Sequence, residues 1–467
     1  MGGIAGIYGQ RGSFKQLETM AEAIDHRGCI DQQWFTDSDF EQESILFNGA
    51  LVNREMCSDS ITDADYALDC YKTHGDRCVA KLEGTFAFAI HDPNRGLVLG
   101  RDSLGVVPLY VGQNDGTWYF ASEIKALADR VSKIEAIPPG ALSIINGSQQ
   151  KHFLTDNKEG LDASGLDASK GEVEEAIRTE LESSIERILY NASSMGVYLS
   201  GGLDSSIIAS IVSEEIPGVK SFCVGMKGSP DLSHARLCAD KFGTDHYEYS
   251  YDLEDMLSVL PDVIYHLESY DMALVRSSIP NYMLARLASE HVDQVCSGEG
   301  ADELFCGYEY MKGLPPEQLL DETDSLLRNL HNTGLQRGDR MSAAFGLEAN
   351  VPFLSKEMIL LAHSIPPQMK INCQGVEKWI LRTAFADQLP PEVARRKKQK
   401  FSIGAGSFSI LEDYAKETYG DGIWAPGTVT PSGHRITTYE EGLYYDMFKS
   451  VFPQQTIEAT VGHTEFV

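Results

Sequence analysis

The chain has 467 residues, with 39 Lys and Arg against 69 Asp and Glu, so its formal net charge at pH 7 is −30. Such an acidic protein repels the phosphates of nucleic acids and of anionic lipids, which disfavours both as partners. Hydrophobic residues make up 42% of the chain, which excludes a disordered protein, and the length predicts two domains.

The nine cysteines are scattered and form no C-x-x-C pair, a distribution typical of reduced thiols rather than of a disulfide framework or a zinc site. The N-terminal MGGIAGIYG has neither the basic nor the apolar region of a signal peptide, and no run approaches the ~18 apolar residues of a membrane span. We therefore expect a cytoplasmic protein without a membrane partner.

Short apolar or alternating runs broken by Gly, Asn and Asp fill residues 1–150 and predict a domain dominated by strands. Helices are predicted at residues 14–24 and 63–74. Residues 151–170 contain GLDAS twice in tandem and have no apolar period, which predicts a linker.

From residue 171 to 467 the pattern changes to strands alternating with helical stretches. MGVYLSGGLDSSIIASIV predicts strand, turn and helix, while VKSFCVGM and VDQVCSG predict further buried strands. This alternation predicts an α/β domain with a parallel sheet and helices on both of its faces.

Residues 200–206, SGGLDSS, form the most specific motif and lie between a predicted strand and a predicted helix. Two glycines allow a tight turn whose N–H groups, with the helix N-terminus, converge on an anion. A carboxylate at Asp204 inside a phosphate loop is expected to hold magnesium. The pattern is typical of enzymes that cleave ATP between its α and β phosphates.

Two further clusters are candidates for the same site. Residues 297–305, SGEGADELF, follow a buried strand and carry three carboxylates that repel one another unless a cation or a proton-transfer role relieves them. Residues 395–400 place five cations in six positions, which suits a polyphosphate transition state in so acidic a chain. A solvated loop and a solvated basic face are the respective alternatives.

These motifs, with ESYDMALVRSSIP, GLEANVPFLS, EKWILRTAF and KFSIGAG, resemble the glutamine-dependent (class B) asparagine synthetase family in the same order along nearly the whole chain. The resemblance implies an N-terminal-nucleophile glutaminase-type αββα sandwich, followed by an adenine-nucleotide α-hydrolase-like (PP-loop) synthetase domain. It also implies ATP and Mg²⁺, with a carboxylate activated as acyl-AMP and AMP displaced by nitrogen.

The resemblance implies roles for individual residues. Lys398 stabilises adenylate formation, Glu299 takes the proton from the attacking amine with Glu348 as a second acceptor, and Asp204 and Asp302 hold magnesium. The residues implied to bind ATP are Leu199, Ser200, Gly201, Gly202, Asp204, Ser205, Ser206, Val224, Ser297 and Gly298.

The first domain departs from the family pattern. Gly2 stands where the family has its nucleophilic cysteine, and Ala50 where a glutamate recognises the glutamine amine. The pair that forms the oxyanion hole persists, so the degenerate glutaminase site is expected at Gly2, Asn48, Gly49 and Asp63.

We expect the first domain to be a retired glutaminase that serves as a folding and docking scaffold. An engineered loss of the cysteine explains Gly2 alone, but no Lys or Arg lies between Arg27 and Arg54 to clamp the glutamine carboxylate. Cys29 lacks the free α-amine that activates the family's nucleophile.

Without glutamine hydrolysis, the nitrogen is ammonia or an amine of a substrate. Relatives without the cysteine include lasso-peptide cyclases and the β-lactam synthetases, in which a β-amine closes onto its own adenylated carboxylate. Glu299 matches asparagine synthetase, whereas clavam and carbapenem enzymes carry Tyr there. Asn350 and Ser355 replace an arginine and an aspartate of the family, which favours an acceptor other than aspartate; a shifted surface pair is the alternative.

Three functions follow for this chain. The first is an amide or lactam synthetase that acts on an amino-acid-like carboxylate without glutamine. The second is an ammonia-dependent asparagine synthetase, and the third is an inactive scaffold or regulator. The oligomeric state stays open, with a homodimer as the candidate.

Overall fold

A computed structural model describes residues 2–35, 43–53, 61–154, 168–190, 192–398, 410–420 and 422–463. Residues 155–167 of the expected linker lie outside these ranges. A strand continues to Leu154, past the expected boundary at residue 150, and the next helix begins at Lys170.

The N-terminal domain is a sandwich of two five-stranded sheets with a helix on each outer face. The strand orders are β2-β1-β7-β6-β8 and β10-β9-β5-β4-β3, and among the described strands of this domain only β1 and β2 pair in parallel. The elements are β1 (Gly2–Tyr8), α1 (Phe14–Glu22), β2 (Cys29–Phe35), β3 (Ser44–Leu51), α2 (Asp63–His74), β4 (Gly84–Asp92), β5 (Gly96–Arg101), β6 (Tyr110–Asn114), β7 (Thr117–Ala121), β8 (Ile134–Ala136), β9 (Ala141–Asn146) and β10 (Gln149–Leu154).

The sandwich forms because alternate residues of both sheets point inward. Ile4 and Phe120 of the first sheet join Ala89 and Leu99 of the second in one buried cluster. Both predicted helices are confirmed, and each begins at a side-chain cap: Ser13 precedes α1, and a capping box at Thr62 precedes α2.

The second domain contains one five-stranded sheet in the order β13-β12-β11-β14-β15, and every pair in it is parallel. Its strands are β11 (Met195–Tyr198), β12 (Lys220–Met226), β13 (Asp245–Tyr251), β14 (Gln294–Cys296) and β15 (Glu348–Asn350). Its helices are α3 (Lys170–Tyr190), α4 (Leu203–Glu215), α5 (Pro230–Phe242), α6 (Leu253–Leu267), α7 (Met272–Ser289), α8 (Ala301–Leu304), α9 (Pro316–Asn329), α10 (Gly334–Ala343), α11 (Lys356–Ser364), α12 (Pro367–Lys370), α13 (Trp379–Ala384), α14 (Pro391–Ala394), α15 (Ile410–Tyr419), α16 (Tyr439–Val451) and α17 (Gln455–Glu458).

Helices cover both faces of this sheet, as the sequence predicts. Apolar side chains of α3, α4 and α5 form one buried cluster, and those of α6, α7 and α16 belong to another. β11 pairs with β12 on one side and with β14 on the other, so the strand order reverses there. Ligands of open α/β sheets bind beyond the carboxyl ends of the strands at such a switch point.

The two domains share a buried interface. The apolar cluster on α6 and α7 continues into α1 and β1 of the first domain. At this interface, Arg27 donates hydrogen bonds to Asp339 of α10. Arg340 of the same helix forms an ion pair with Glu123, with 2.9 Å between Arg340 Nη1 and Glu123 Oε1. None of the helices in the described ranges combines the length and apolar character that a bilayer crossing requires.

Candidate active site

A cavity of about 370 Å³ opens at the carboxyl ends of β11, β12 and β14. It brings together eleven of the predicted site residues, from four separate segments of the chain. The predicted residues that line it are Leu199, Ser200, Gly202, Asp204, Ser205, Val224, Ser297, Gly298, Glu299, Asp302 and Lys398.

The phosphate loop has the geometry that its glycines predict. Gly201 has a φ of +66°, and a Cβ there would lie 2.4 Å from the carbonyl carbon of His234, so another residue would displace the backbone. Gly202 is the N-cap of α4 and has no side chain to bond the first N–H groups of the helix, which are then available to an anion. The hydroxyls of Ser200 and Ser205 lie 3.1 Å apart within the same loop.

The two glycine loops are in direct contact. A Cβ on Gly298 would lie 2.9 Å from both the Asp204 Cβ and the Ser205 nitrogen, so only glycine allows this approach. Ser297 is fixed from the other side, since its N–H donates to the Asn350 carbonyl at 2.9 Å. The expectation that both loops face one crevice is therefore confirmed.

Two lysines hold the acidic centre of the cavity. The Nζ of Lys378 bridges Asp204 Oδ2 at 2.6 Å and Asp302 Oδ1 at 2.7 Å, and Lys398 Nζ contacts Asp302 Oδ2. Burial by itself raises the pKa of Asp302, but the two ammonium groups outweigh burial and hold that pKa well below its ordinary value. The Asp302 carboxylate is therefore ionised at neutral pH.

The donors at this centre fit a magnesium ion. Asp204 and Asp302 supply the carboxylate oxygens that magnesium prefers. Asp204 Oδ1 is buried and has no hydrogen-bond partner among the described residues, which leaves an oxygen available to a cation. Lys378, which the sequence reasoning did not single out, lies within the EKWILRTAF motif and is buried, with a φ of +52°.

Residues 395–398, the described part of the basic segment, include both exposed side chains and side chains that line the cavity. Arg396 donates to the carbonyls of Ser200 and Gly201 and to the carboxylate of Asp231, so it fastens the phosphate loop. Arg395 is exposed, whereas Lys398 points into the cavity. Gln399 and the whole of KFSIGAG, residues 400–406, lie outside the described residues.

Glu299 is held by α10. Its carboxylate forms an ion pair with Arg337, and a Cβ on Gly334 would lie 2.1 Å from Glu299 Oε1. Deeper in the cavity, Glu303 accepts a hydrogen bond from the Tyr308 hydroxyl. Burial, with the charges of Glu299 and Asp302, raises the pKa of Glu303 to about 7. Neither Glu303 nor Arg337 was predicted as a separate site residue, although Glu303 belongs to the SGEGADELF motif.

Three of the proposed residues do not line the cavity. Gly201 contributes backbone to the turn, and the Ser206 hydroxyl lies 3.2 Å from the Cys238 thiol in the core. Glu348 pairs with Gln294 at the amino end of its strand, and burial and the charge of Asp63 raise its pKa. The expected role of Glu348 as a second proton acceptor is not supported by this position.

The two replaced family positions also lie away from the cavity. Ser355 caps α11 and donates to Glu180 at 3.0 Å. The Asn350 side chain is directed back towards Gln294 and Val295, at 3.4 and 3.5 Å. These contacts agree with the alternative that the two replacements only shift a pair of residues at the surface. The replacements therefore no longer argue against aspartate as the acceptor.

In the first domain, the backbone closes around Gly2. A Cβ at this position would lie 2.6 Å from the Cys29 carbonyl oxygen, which is backbone and cannot rotate away. The Gly2 carbonyl accepts from Arg27 Nε at 3.0 Å, and the Asn48 side chain is also adjacent. Cys29 is exposed on β2. The space for a side chain at position 2 is thus already filled.

Gly49 and Asp63, two further residues predicted for the glutaminase site, make contacts with the backbone of neighbouring elements. Gly49 has a φ of +128° and lies against Thr85, where a Cβ would be 2.0 Å from the carbonyl oxygen. Asp63 accepts from the Leu51 N–H at 3.3 Å. These contacts tie β3 to β4 and to α2.

A glutaminase-type sandwich joined to a PP-loop sheet, with paired acid and lysine side chains at its switch point, defines an ATP-dependent carbon–nitrogen ligase. The family model "Asparagine synthase" matches residues 176–322 and 317–456, and the model "Glutamine amidotransferase domain" matches residues 29–129. The chain belongs to the asparagine synthase family, whose members use ATP.

Several curated relatives carry the name asparagine synthetase, glutamine-hydrolyzing. The protein of Brassica oleracea is 34% identical over 98% of this chain and 82% of its own length. Those of Triphysaria versicolor and Asparagus officinalis are 34% and 35% identical, over 92% and 90% of this chain and 78% and 76% of their own lengths.

Proposed function

We propose that the chain adenylates an amino-acid-like carboxylate and then forms an amide or lactam with an amine that does not come from glutamine. The observation that carries this proposal is the contrast between the two domains. The synthetase cavity holds a phosphate loop and an acidic centre paired with two buried or half-buried lysines, whereas the Cys29 carbonyl oxygen occupies the place that a cysteine Cβ at position 2 needs.

In the first step, a carboxylate oxygen of the substrate bonds to the α phosphorus of ATP, the bond to the β-phosphate oxygen breaks, and pyrophosphate leaves. The phosphate loop, which Arg396 fastens, orients the phosphates, and the Lys398 ammonium is the cation proposed to stabilise the negative charge that grows on them. Magnesium held by Asp204 and Asp302 supplies charge neutralisation when it is bound.

In the second step, the amine nitrogen bonds to the adenylated carbonyl carbon and AMP leaves. The proton released from nitrogen passes to a carboxylate, and Glu299 is the proposed acceptor. Arg337 and Gly334 fix the position of that carboxylate from α10. Glu303 lines the same cavity behind it.

The test follows the phosphates and the nitrogen separately. Incubation with ATP, magnesium and a panel of amino acids should produce AMP and pyrophosphate, with isotope exchange from pyrophosphate into ATP for the correct carboxylate. Production of ADP and phosphate would contradict adenylation. Glutamine should not replace ammonium or an amine as the nitrogen source, and amide formation that requires glutamine would overturn the role given to the first domain.

An ammonia-dependent asparagine synthetase is the second candidate. It is favoured by the placement of Asn350 and Ser355 outside the cavity lining, because their replacement then leaves an aspartate site unchanged. Asparagine produced from aspartate, ATP and ammonium would establish it. The intact Asp204, Asp302 and Lys398 argue against the third function, an inactive scaffold. Failure of the chain to bind ATP with magnesium would make that function the best explanation again.

A further inference from the structure

Three metal-ligating side chains meet far along the chain from the phosphate loop. His434 lies in the turn closed by the bridge between Val429 and Arg435, Glu441 in the first turn of α16, and His463 beyond α17. One ligand atom from each lies within 4.8 Å of the other two. The nine cysteines gave no indication of such a site, because it contains none of them.

The three side chains already interact. His434 Nε2 and Glu441 Oε1 are 2.6 Å apart, and the rings of His434 and His463 stack with centroids 3.6 Å apart. The hydroxyl of Tyr270 lies 3.5 Å from His463 Nε2.

Glu441 is oriented by contacts outside the trio. Its second oxygen, Oε2, accepts from the backbone N–H and the hydroxyl of Thr437, each at 2.7 Å. Oε1 is thereby directed at the two histidines. Protein metal sites commonly fix their ligands with outer hydrogen bonds of this kind.

We propose that His434, Glu441 and His463 bind a zinc ion that joins the C-terminal segment to α16. Two imidazoles and one carboxylate are zinc ligands, with a water as the fourth. Bonds of ~2.0–2.2 Å in a tetrahedron place the ligand atoms roughly 3.3–3.5 Å apart, so His434 Nε2 and Glu441 Oε1, which are 2.6 Å apart, have to separate to admit the ion. The imidazoles have to tilt out of their parallel stack to converge on the ion. His463 belongs to no helix or strand of the described chain.

The site has a structural consequence for the synthetase domain. Glu440, the neighbour of Glu441, forms the ion pair that holds Arg276 in the wall of the ATP cavity. A metal that fixes the start of α16 therefore also supports this wall. The proposal does not depend on which reaction the cavity performs.

The experiment is a zinc titration of the full chain after treatment with a chelator, in a background where Cys29→Ser and Cys373→Ser remove the two exposed thiols among the described cysteines. We expect one zinc per chain and a rise of about 2–4 °C in Tm. Cobalt(II) should give d–d absorption without thiolate charge-transfer bands.

His463→Ala and Glu441→Gln should abolish both zinc binding and the rise in Tm, while His74→Ala, an exposed histidine of α2, should keep both. His463→Ala is the decisive variant, because His463 is outside every regular element and its replacement leaves the fold in place. Absence of zinc binding by the chelator-treated chain, or binding that survives His463→Ala and Glu441→Gln, would overturn the proposal.

Discussion

Arg27 of the first domain forms two hydrogen bonds with Asp339 of α10, at 2.8 and 3.0 Å, and both side chains are buried. Arg337, two residues earlier in the same helix, holds Glu299 in the cavity. A helix of only ten residues, Gly334–Ala343, therefore connects the first domain to the proposed proton acceptor. This connection gives the first domain a structural role whether or not it hydrolyses glutamine.

Arg27→Met should destabilise the protein by ~3–5 kcal/mol, because it leaves the buried carboxylate of Asp339 without its partner. We also expect amide formation to fall further than pyrophosphate exchange, since α10 carries Arg337 while the phosphate loop is on other elements. Urea unfolding and the two assays measure these effects. Arg95→Met, which removes a partly exposed ion pair with Asp76, is the control. Equal losses in both assays would contradict a specific role for α10.

Gly334→Ala should reduce amide formation by displacing Glu299, because its Cβ would lie 2.1 Å from Glu299 Oε1. Adenylation should be affected little, since Glu299 is not part of the phosphate loop. Gly338→Ala is a matched control in the same helix, where a Cβ meets nothing within 4 Å, and it should stabilise α10 by about 1 kcal/mol. If Gly334→Ala and Gly338→Ala form product at the same rate, the role proposed for Glu299 is wrong.

Gly2→Cys should release no glutamate from glutamine, because the new Cβ would lie 2.6 Å from the Cys29 carbonyl oxygen and β1 would have to move. Gly2→Ala introduces the same Cβ without a thiol, and both variants should lose stability in urea unfolding. Measurable glutaminase activity in Gly2→Cys would show that the pocket is still competent.

The local motifs predicted the fold and most of the cavity. SGGLDSS and SGEGADELF follow two neighbouring parallel strands, so their meeting follows from topology. The position of Lys378 between Asp204 and Asp302 depends on a backbone with φ of +52° and on contacts 174 residues apart, neither of which a local pattern reveals. The proposal for Glu348 was wrong about its position, because its strand places it beside Gln294 at the amino ends of β14 and β15, whereas the cavity opens at the carboxyl ends of the strands.

Lys398→Ala should reduce pyrophosphate exchange by ~10²–10³-fold, the effect of removing one preorganised charge from a transition state. ATP binding, measured by calorimetry, should change much less, because the phosphate loop and Arg396 remain. Arg395→Ala is the control from the same basic segment, since Arg395 is exposed and is not among the residues that line the cavity. A loss of ATP affinity that matches the loss of exchange would make Lys398 a binding residue.

His266 gives the domain interface a pH dependence. Burial, with the nearby charges of His26 and Lys125, lowers the pKa of His266 to about 3, and its ring packs edge-on against His26 with centroids 4.4 Å apart. The unfolded chain takes up this proton near pH 6.5 and the folded chain does not, so the free energy of unfolding falls as the pH drops from about 6.5 towards about 3.

Below pH 6.5, His266 should therefore contribute a loss of up to ~1.4 kcal/mol for each pH unit. His266→Phe keeps an aromatic ring but cannot be protonated, so its unfolding free energy, measured in urea at pH 7 and pH 5, should fall less than that of the parent chain. Other groups titrate in both proteins and cancel in the difference between them. Equal pH dependence of the two proteins would mean that His266 is protonated in the folded interface, which would have to open to admit water beside His26.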